Sequence, residues 1–239
     1  MIMREEKEEG IVLSTVKYGE SGIVADILTR GSGRKGYMAS AGRKRGGGQP
    51  ILMPLTTVDF VGRRRRENQM SRMGDVRLSR PFRTIPFNPV RRAEAFFIAE
   101  LMSRAIPPEI PDPDLFDFAS QAIGALDDGM EGDYNFHLYF MMRLAEHLGF
   151  GADTSRDGRG FFDMAGGTWV ESLPPHPDAV GGRMADIWHW ASTTTTGRLA
   201  EMEMNRSERQ ELIRLMTRYY KIHQPGFGDM ASQQILAML

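Results

Sequence analysis

The sequence predicts an α+β chain, in which a small antiparallel β-barrel or sandwich is followed by a mainly α-helical domain. Residues 10–80 contain five short apolar or β-branched segments separated by glycine turns, the pattern of a small barrel or sandwich. From residue 88 the apolar residues recur at helical spacing instead. Basic residues are concentrated before this change and acidic residues after it. We place the domain boundary near residue 85, which gives domains of residues 1–85 and 86–239.

The first domain is predicted to contain five strands. Each is a short segment rich in apolar, β-branched or aromatic residues, and glycine or serine precedes several of them. Their expected bounds are 10–18, 22–30, 33–41, 51–62 and 73–80. This regular spacing favours neighbouring strands joined by turns.

The second domain is predicted to be helical apart from one hairpin. Asn88 is expected to cap the first helix with Pro89 at its first position, and Ser207 with Gln210 is expected to form a capping box. The expected helices are 88–106, 114–129, 134–150, 184–192, 207–223 and 230–239. The segment "FFDMAGGTWVE" predicts a small hairpin insertion near residues 160–171, with a Gly-Gly turn.

The net charge of −1 conceals a strong asymmetry along the chain. Residues 1–92 contain 19 Lys and Arg against 9 Asp and Glu, whereas residues 93–239 contain 11 against 22. A basic first part suggests a polyanionic partner. The alternative is chance clustering on a solvated surface.

Several classes of protein are excluded or disfavoured by composition. The chain has no cysteine, so disulfides, thiol nucleophiles and cysteine-based zinc sites are excluded. No apolar run approaches the roughly 20 residues of a membrane span, and the acidic start lacks the apolar core of a signal peptide, so we expect a cytoplasmic protein without membrane contact. The five histidines are not at ligand spacing, and no carboxylate dyad or nucleophile stands out. We therefore expect no catalytic residues, no metal and no cofactor.

The glycine-rich, basic stretch at residues 31–50 raises the question of a phosphate-binding loop. It departs from the P-loop pattern because no Ser or Thr follows Lys44, and it runs into Pro50 and a strand, not into a helix. We interpret it as a flexible basic loop that contacts phosphates independently of sequence. The candidate DNA-binding residues are Arg34, Lys35, Arg43, Lys44, Arg45, Arg63, Arg64, Arg65 and Arg66. The run 63–66 taken alone could equally be an exposed hairpin tip.

Aromatic residues that could stack on bases are few in the first domain. The candidates are Tyr18, Tyr37 and Phe60. We therefore expect electrostatic contacts with phosphates to contribute more to DNA binding than base stacking does.

The order of segments resembles the RecO family of bacterial recombination mediators. The resemblance is carried by "GIVLSTV", "YGESGIVADILTR", "GRKGYMASAGRK" and "QPILMPLTTVDFV" in the first domain. In the second domain it is carried by "IPFNPVRRAEAFFIAELMSRAI", "PDPDLFDFASQAI", "NFHLYFMMRLAEHLGF" and "YYKIHQPGFGDMASQQILAML". The resemblance implies an oligonucleotide-binding (OB) barrel followed by a helical domain.

The resemblance also implies a function and partners. These are binding of single- and double-stranded DNA, annealing of complementary strands, partnership with RecR, contact with the C-terminal tail of single-stranded DNA-binding protein, and indirect help in loading RecA. Such a protein is expected at the nucleoid. Many relatives carry a four-cysteine zinc module, which this chain lacks, and the predicted hairpin stands at about that place.

A further expectation concerns the binding site of a partner, and rival functions remain. Phe136, Phe140 and Leu144 recur every four residues, and Arg143 precedes Leu144. An apolar stripe beside a cation suggests a binding site for the tail of single-stranded DNA-binding protein, which is acidic and apolar. The alternative is that this stripe is simply core. Rival functions are a protein adaptor whose basic barrel binds an acidic partner, and a nuclease or nucleotidyl enzyme with an OB domain, for which no clustered carboxylate pair that could hold two metals is visible.

Overall fold

The first domain is a closed five-stranded barrel. The computed structural model of the chain describes residues 4–20, 22–40, 52–64, 70–155, 160–201 and 203–236. The strands are β1 (Arg4–Tyr18), β2 (Gly22–Thr29), β3 (Gly33–Ser40), β4 (Thr57–Arg64) and β5 (Ser71–Arg80). Their order around the barrel is β1-β2-β3-β5-β4, with a short parallel contact between β3 and β5. This order confirms the OB-like barrel.

Strand β1 begins six residues earlier than predicted, at Arg4. Its first half pairs with β4 and its second half pairs with β2, with a bulge between Val12 and Ser14. The first half is rich in Glu and Lys, residues of low strand preference, so it carries no local signal of a strand. Pairing with β4 overrides that preference.

Strand β4 begins later than predicted, at Thr57. The chain turns just before it, where Leu55 is fully buried and has a φ of 64°. Leu55 therefore belongs to the core at the domain junction and Leu52 packs against the barrel core, and neither is part of the strand. Periodicity alone cannot show whether a short apolar run forms a strand or a buried turn.

The second domain contains six α-helices and two 3-10 helices, Asp133–Asn135 and Thr196–Glu201, in the described ranges. The α-helices are α1 (Pro89–Ala105), α2 (Pro113–Asp128), α3 (Phe136–His147), α4 (Gly182–Thr193), α5 (Arg206–His223) and α6 (Gln233–Leu236). Asn88 caps α1 as predicted, because its side chain accepts hydrogen bonds from the N–H groups of Val90 and Arg91. The capping box of α5 is formed by Asn205 and Glu208, so its prediction at Ser207 and Gln210 was wrong by two residues.

The predicted hairpin is present. Strands β6 (Phe161–Asp163) and β7 (Thr168–Val170) are antiparallel, and the short β8 (Ala179–Val180) pairs with the other edge of β6. The buried ring of Phe162 packs against Trp188 of α4, with 4.9 Å between ring centroids. The hairpin is thus anchored to the helical core.

The two domains share one apolar core. Ile11, Leu13 and Leu28 of the barrel are buried in the same cluster as the helical residues. Ion pairs surround this contact: Arg30 with Asp117 of α2, and Arg80 with Asp128 at 2.7 Å. Part of the charge asymmetry along the chain is therefore used to dock one domain on the other.

None of the helices in the described part of the chain has both the length and the apolar character that crossing a bilayer requires.

Candidate nucleic-acid interface

The strand ends form two groups, which differ in their position relative to the helical domain. Strands β1, β3 and β5 run in one direction and β2 and β4 in the other, so each group includes strand ends from both openings of the barrel. We call the first group the outer rim: it consists of Tyr18, Gly22 and Ser40 at one opening, and of Arg64 and Ser71 at the other. We call the second group the inner rim: it lies toward the helical domain and consists of Gly10 in the middle of β1 and the strand ends Thr29, Gly33, Thr57 and Arg80.

Most of the predicted DNA-binding residues belong to segments that begin or end at the outer rim. Arg63 and Arg64 are the last two residues of β4. Five others, Arg43, Lys44, Arg45, Arg65 and Arg66, lie outside the described residues. The described residues that flank them, Ser40, Arg64 and Met70, are at the outer rim or next to it.

Arg34 and Lys35 lie at the opposite end of β3, at the inner rim. The carbonyl of Arg34 accepts a hydrogen bond from Glu109 in the linker before α2, and its guanidinium lies 3.7 Å from Asp26. Lys35 is opposite Ile27 in the strand register. That these two residues share one face with the other basic clusters stays a prediction: the start of β3 lies at the same opening of the barrel as Arg64, and at the opposite opening from Ser40.

A row of register partners crosses the outer surface of the barrel near the outer rim. Each member is directly opposite the next, so their side chains share one face. This outer row consists of Val16, Val24, Met38, Arg72 and Arg63. It is apolar over β1, β2 and β3 and cationic over β5 and β4.

The two arginines of the outer row differ in their partners. Arg63 donates to Glu5 at 2.9 Å and to Asp75 at 2.7 Å, and these hydrogen bonds raise its pKa above the ordinary value. Arg72 is exposed, and no hydrogen bond or ion pair engages it within the described ranges. Arg72 is therefore the arginine of this row that is available to an external anion.

The three candidate stacking residues differ in their accessibility to a ligand. Tyr37 and Phe60 are inside the barrel and pack edge to face at 4.9 Å, so they are closed to bases. Burial, followed by the nearby Glu8 carboxylate, raises the pKa of Tyr37 to about 12. Tyr18 is 58% exposed at the outer rim. It is the one stacking candidate of the three that a ligand can reach.

The barrel wall formed by β1, β4 and β5 is less suited to DNA. Glu9 is opposite Asp59 in the register, and Asp59 is opposite Arg77. Glu5 and Asp75 flank Arg63 on the same wall. These four carboxylates would repel phosphates, which restricts the favourable surface to the outer rim and the β1–β2–β3–β5 side.

The predicted seat for the tail of single-stranded DNA-binding protein is not accessible. Phe136, Phe140 and Leu144 are at most 1% exposed and belong to the main core. Arg143 donates to the carbonyl of Ser192 and pairs with Glu146 at 2.8 Å. The docking interpretation of this stripe was wrong, and the alternative, that it is core, describes the structure.

A buried acid–imidazole pair is also closed to substrates. Glu94 of α1 and His137 of α3 are in contact at 2.7 Å, and both are at most 1% exposed. Burial raises the pKa of Glu94, which the contact with His137 opposes. Among the residues that the structure describes, no group of three or more His, Asp or Glu could hold a metal ion.

Comparison with known proteins identifies the family. The family models described as Recombination protein O N terminal and Recombination protein O C terminal match residues 3–82 and 86–228. The chain belongs to the RecO family. Membership supports a role in DNA repair and recombination.

Individual relatives of the RecO family match along almost the whole chain. A DNA repair protein RecO from Phocaeicola vulgatus is 30% identical over 237 residues, covering 98% of each chain. The protein of that name from Bacteroides fragilis is 30% identical over 243 residues, again with 98% of each chain covered. That from Flavobacterium psychrophilum is 26% identical over 238 residues, covering 96% of this chain and 97% of its own.

Sequence reasoning missed the apolar part of the outer row and Arg72. One signal was present: the second half of β1 and the start of β2 are apolar at both odd and even positions, as in Ile23 and Val24. A strand that is apolar on both faces has an outer face that is either covered or used in binding. Arg72 has no such signal, because only barrel closure places β5 beside β3.

Proposed function

We propose that this protein binds DNA through the outer rim of its barrel and anneals complementary strands without chemical catalysis. The observation that carries the proposal is the cationic end of the outer row. Arg72 is exposed beside Arg63, and the basic clusters at residues 43–45 and 63–66 are near the ends of β3 and β4, at the two openings of the barrel. Contacts to phosphates are independent of base sequence, so both single and double strands are ligands.

The proposed mechanism of annealing is charge neutralisation. Two complementary strands repel each other through their phosphates, and each carries a condensed atmosphere of counterions. Lys and Arg side chains that replace these counterions lower the repulsion and release the ions to solvent. Neither nucleotide hydrolysis nor a cofactor is required for this step.

The arrangement of charge supports this orientation. Asp117 and Asp128 of the helical domain are engaged by Arg30 and Arg80 near the inner rim. The remaining acidic surface of the helical domain disfavours DNA there. The outer rim is thus the part of the molecule where cations face solvent away from the acidic domain.

The individual protein partners are part of the same proposal, and they rest on the family resemblance. We include RecR, the C-terminal tail of single-stranded DNA-binding protein and, indirectly, RecA, with action at the nucleoid. The division into domains 1–85 and 86–239 is likewise retained. The stripe on α3 is not retained as the seat of the tail.

The alternative function is a protein adaptor whose basic barrel binds an acidic partner. It predicts binding to an acidic protein surface but no regular dependence of DNA affinity on salt. A phosphate-binding barrel instead loses affinity linearly in log–log form as salt rises. The two functions are therefore separable by one titration.

The test replaces Arg43, Lys44 and Arg45 with Ala and measures DNA affinity by fluorescence anisotropy over a range of salt concentrations. Each lost phosphate contact should flatten the salt slope by about 0.7 for single strands and about 0.9 for duplex. The matched control removes three cations from α5: Arg214, Arg218 and Lys221. An unchanged slope in the barrel variant, or equal losses in both variants, would contradict the proposed surface.

A further inference from the structure

A groove lies between the second half of β1, one face of α1 and the short helix α6. Its volume is about 610 Å³. On the helical side it is lined by Phe96, Glu100, Ser103 and Arg104, which share one face of α1, and by Ile235 of α6. Phe96 is 42% exposed and Ile235 is 43% exposed, so two of its walls are apolar and open to a ligand. We call it the β1–α1 groove.

The barrel side of the β1–α1 groove is the edge of a strand. Leu13, Ser14 and Thr15 line it in succession. Ser14 and Thr15 follow the bulge and are in regular register with β2, so their side chains point to opposite faces of the sheet. A groove that is lined by both residues therefore runs along the edge of β1 and not over one of its faces.

This edge of β1 is unpaired from Leu13 onward within the described ranges. Strand β4 pairs with β1 only as far as Ile11, and the last bonds on that side join Val12 to Leu55 and Thr56. Beyond Val12 the described partner of β1 is β2, on the opposite edge. Pro54, which precedes Leu55, also lines the groove, so the groove lies on the unpaired edge. Such an edge directs N–H and C=O groups outward at every second residue and can accept an added strand.

The far wall of the groove is held in place by Glu100. Its carboxylate accepts the N–H groups of Ala231 at 3.1 Å and Ser232 at 2.8 Å, and Arg104 donates to it at 2.8 Å. Burial alone would raise the pKa of Glu100, but hydrogen bonds from Ser232, Arg104 and Ala231 outweigh it and hold the pKa below its usual value. The groove is therefore preformed, and its carboxylate is engaged within the protein.

Two cations flank the groove without an acidic partner in the part of the chain that the structure describes. Lys17 is exposed two residues after Thr15, on the same face of β1. Arg92 is exposed one turn before Phe96 on α1, and it donates to the carbonyl of Pro86 at 3.5 Å. Charge complementarity therefore favours an occupant that carries carboxylates beside its apolar residues.

The chemistry of the edge favours a protein segment over a nucleic acid. An unpaired strand edge offers donors and acceptors in alternation, and another extended main chain matches both. A phosphate backbone offers acceptors only, so it would leave the carbonyl groups of the edge without donors.

We propose that the β1–α1 groove binds an extended acidic segment of a partner protein, which adds a strand to the edge of β1 between Leu13 and Lys17. Apolar side chains of the segment lie against Phe96 and Ile235, and its carboxylates pair with Lys17 and Arg92. The inference goes beyond the proposed function and does not depend on DNA binding.

The experiment first selects a segment and then tests how it binds. Random linear peptides displayed on phage are selected on the full-length protein, and an enriched peptide is measured by fluorescence anisotropy. We expect alternating apolar residues flanked by Asp or Glu. The peptide is then N-methylated at its odd positions in one version and at its even positions in another. One version should lose affinity more than about tenfold and the other should retain it, because only alternate N–H groups of an added strand face β1.

Variants of the protein locate the binding site. Phe96→Ala should weaken peptide binding about 5- to 30-fold, the effect of truncating an aromatic contact in an interface. Tyr134→Ala is the matched control, because Tyr134 is 43% exposed elsewhere on the helical domain. Lys17→Glu should also weaken binding, whereas Arg214→Glu, at an exposed arginine of α5, should not. Circular dichroism confirms that each variant is folded.

Other outcomes contradict the inference. Failure to enrich any peptide, equal losses from both N-methylated versions, or wild-type binding by Phe96→Ala and Lys17→Glu refutes strand addition in this groove. If Phe96→Ala weakens binding of an oligothymidylate as much as binding of the peptide, the groove is a nucleic-acid contact instead. If the protein sediments as a dimer that the peptide dissociates, the occupant is a second copy of this chain.

Discussion

Thr84 donates two hydrogen bonds to Asp127, one to its side chain and one to its backbone carbonyl. The N–H of Thr84 donates to Oδ1 of Asp127 at 2.9 Å, and the hydroxyl of Thr84 donates to the Asp127 carbonyl. The same carboxylate accepts the N–H groups of Arg83 at 2.8 Å and Ile85 at 3.0 Å. One buried side chain at the end of α2 therefore fixes the linker between the barrel and α1.

The first prediction concerns this carboxylate. Asp127→Ala leaves three backbone N–H groups without their acceptor, and the free energy of unfolding should fall by about 3 kcal/mol. Asp127→Asn keeps one acceptor oxygen and should cost less. Urea unfolding at neutral pH measures both changes. A loss below about 0.5 kcal/mol for the Ala variant, the range of ordinary surface changes, would show that the linker is held by other contacts.

The second prediction is the pH dependence of the same contact. Burial alone would raise the pKa of Asp127, but hydrogen bonds from Ile85, Thr84 and Arg83 outweigh it and hold the pKa below its usual value. A depressed carboxyl pKa stabilises the fold fully above the unfolded value of about 3.9, and this stability is lost as pH falls through the lower folded value. The difference in stability between wild type and Asp127→Asn should therefore shrink below about pH 5. A difference that is constant from neutral to acidic pH would contradict this.

The third prediction distinguishes the two ends of β3. Arg72→Ala should flatten the salt slope of single-strand binding by about 0.7, because one phosphate contact is lost at the outer rim. Arg34→Ala should leave the slope unchanged, because Arg34 lies at the inner rim beside Asp26. Anisotropy titrations at several salt concentrations measure both. The reverse result, a change for Arg34 and none for Arg72, would place the DNA on the other side of the barrel.

The fourth prediction is that annealing needs neither nucleotide nor metal. The rate of annealing above the protein-free rate should be the same without ATP and in the presence of a chelator, since charge neutralisation uses only Lys and Arg side chains. Circular dichroism in chelator serves as the control for folding. If the folded protein loses annealing in chelator and regains it when a divalent cation is added, this mechanism is contradicted.

The fifth prediction tests the assignment of the α3 stripe to the core. Phe140→Ala should lower the free energy of unfolding by about 3–5 kcal/mol, since it removes a fully buried ring. Arg143→Glu should cost about 1–3 kcal/mol, because the carbonyl of Ser192 loses its donor and Glu146 gains a like charge. Urea unfolding measures both. Wild-type stability in both variants would indicate that this stripe is exposed and does not belong to the core.

Local signals were sufficient for much of the helical domain. The Asn88 cap followed by Pro89 marks the start of α1 in the sequence and in the structure, because capping depends only on adjacent residues. The capping box of α5 shows the limit of such signals. Two nearby pairs of polar residues fit the pattern, and the structure uses Asn205 with Glu208.

Non-local contacts decided the parts that were missed. The charged first half of β1 is a strand because β4 pairs with it. The stripe of Phe136, Phe140 and Leu144 has the same periodicity whether a groove or a core faces it, and only the packing of neighbouring helices shows that it is core. Tyr18, Tyr37 and Phe60 all lie in segments predicted to be strands, yet one is exposed and two are inside the barrel.

The sequence by itself determined the two-part architecture, the lack of thiol chemistry and the separation of charge between the parts, because these depend on composition and local periodicity. Only the tertiary structure decided how that charge is used. It assigns Arg30 and Arg80 to the domain junction, Arg34 to the inner rim, and Arg72 to the exposed outer row. The physical reason is that barrel closure pairs strands distant in sequence, so the neighbours of a side chain across strands are fixed by register and not by position in the chain.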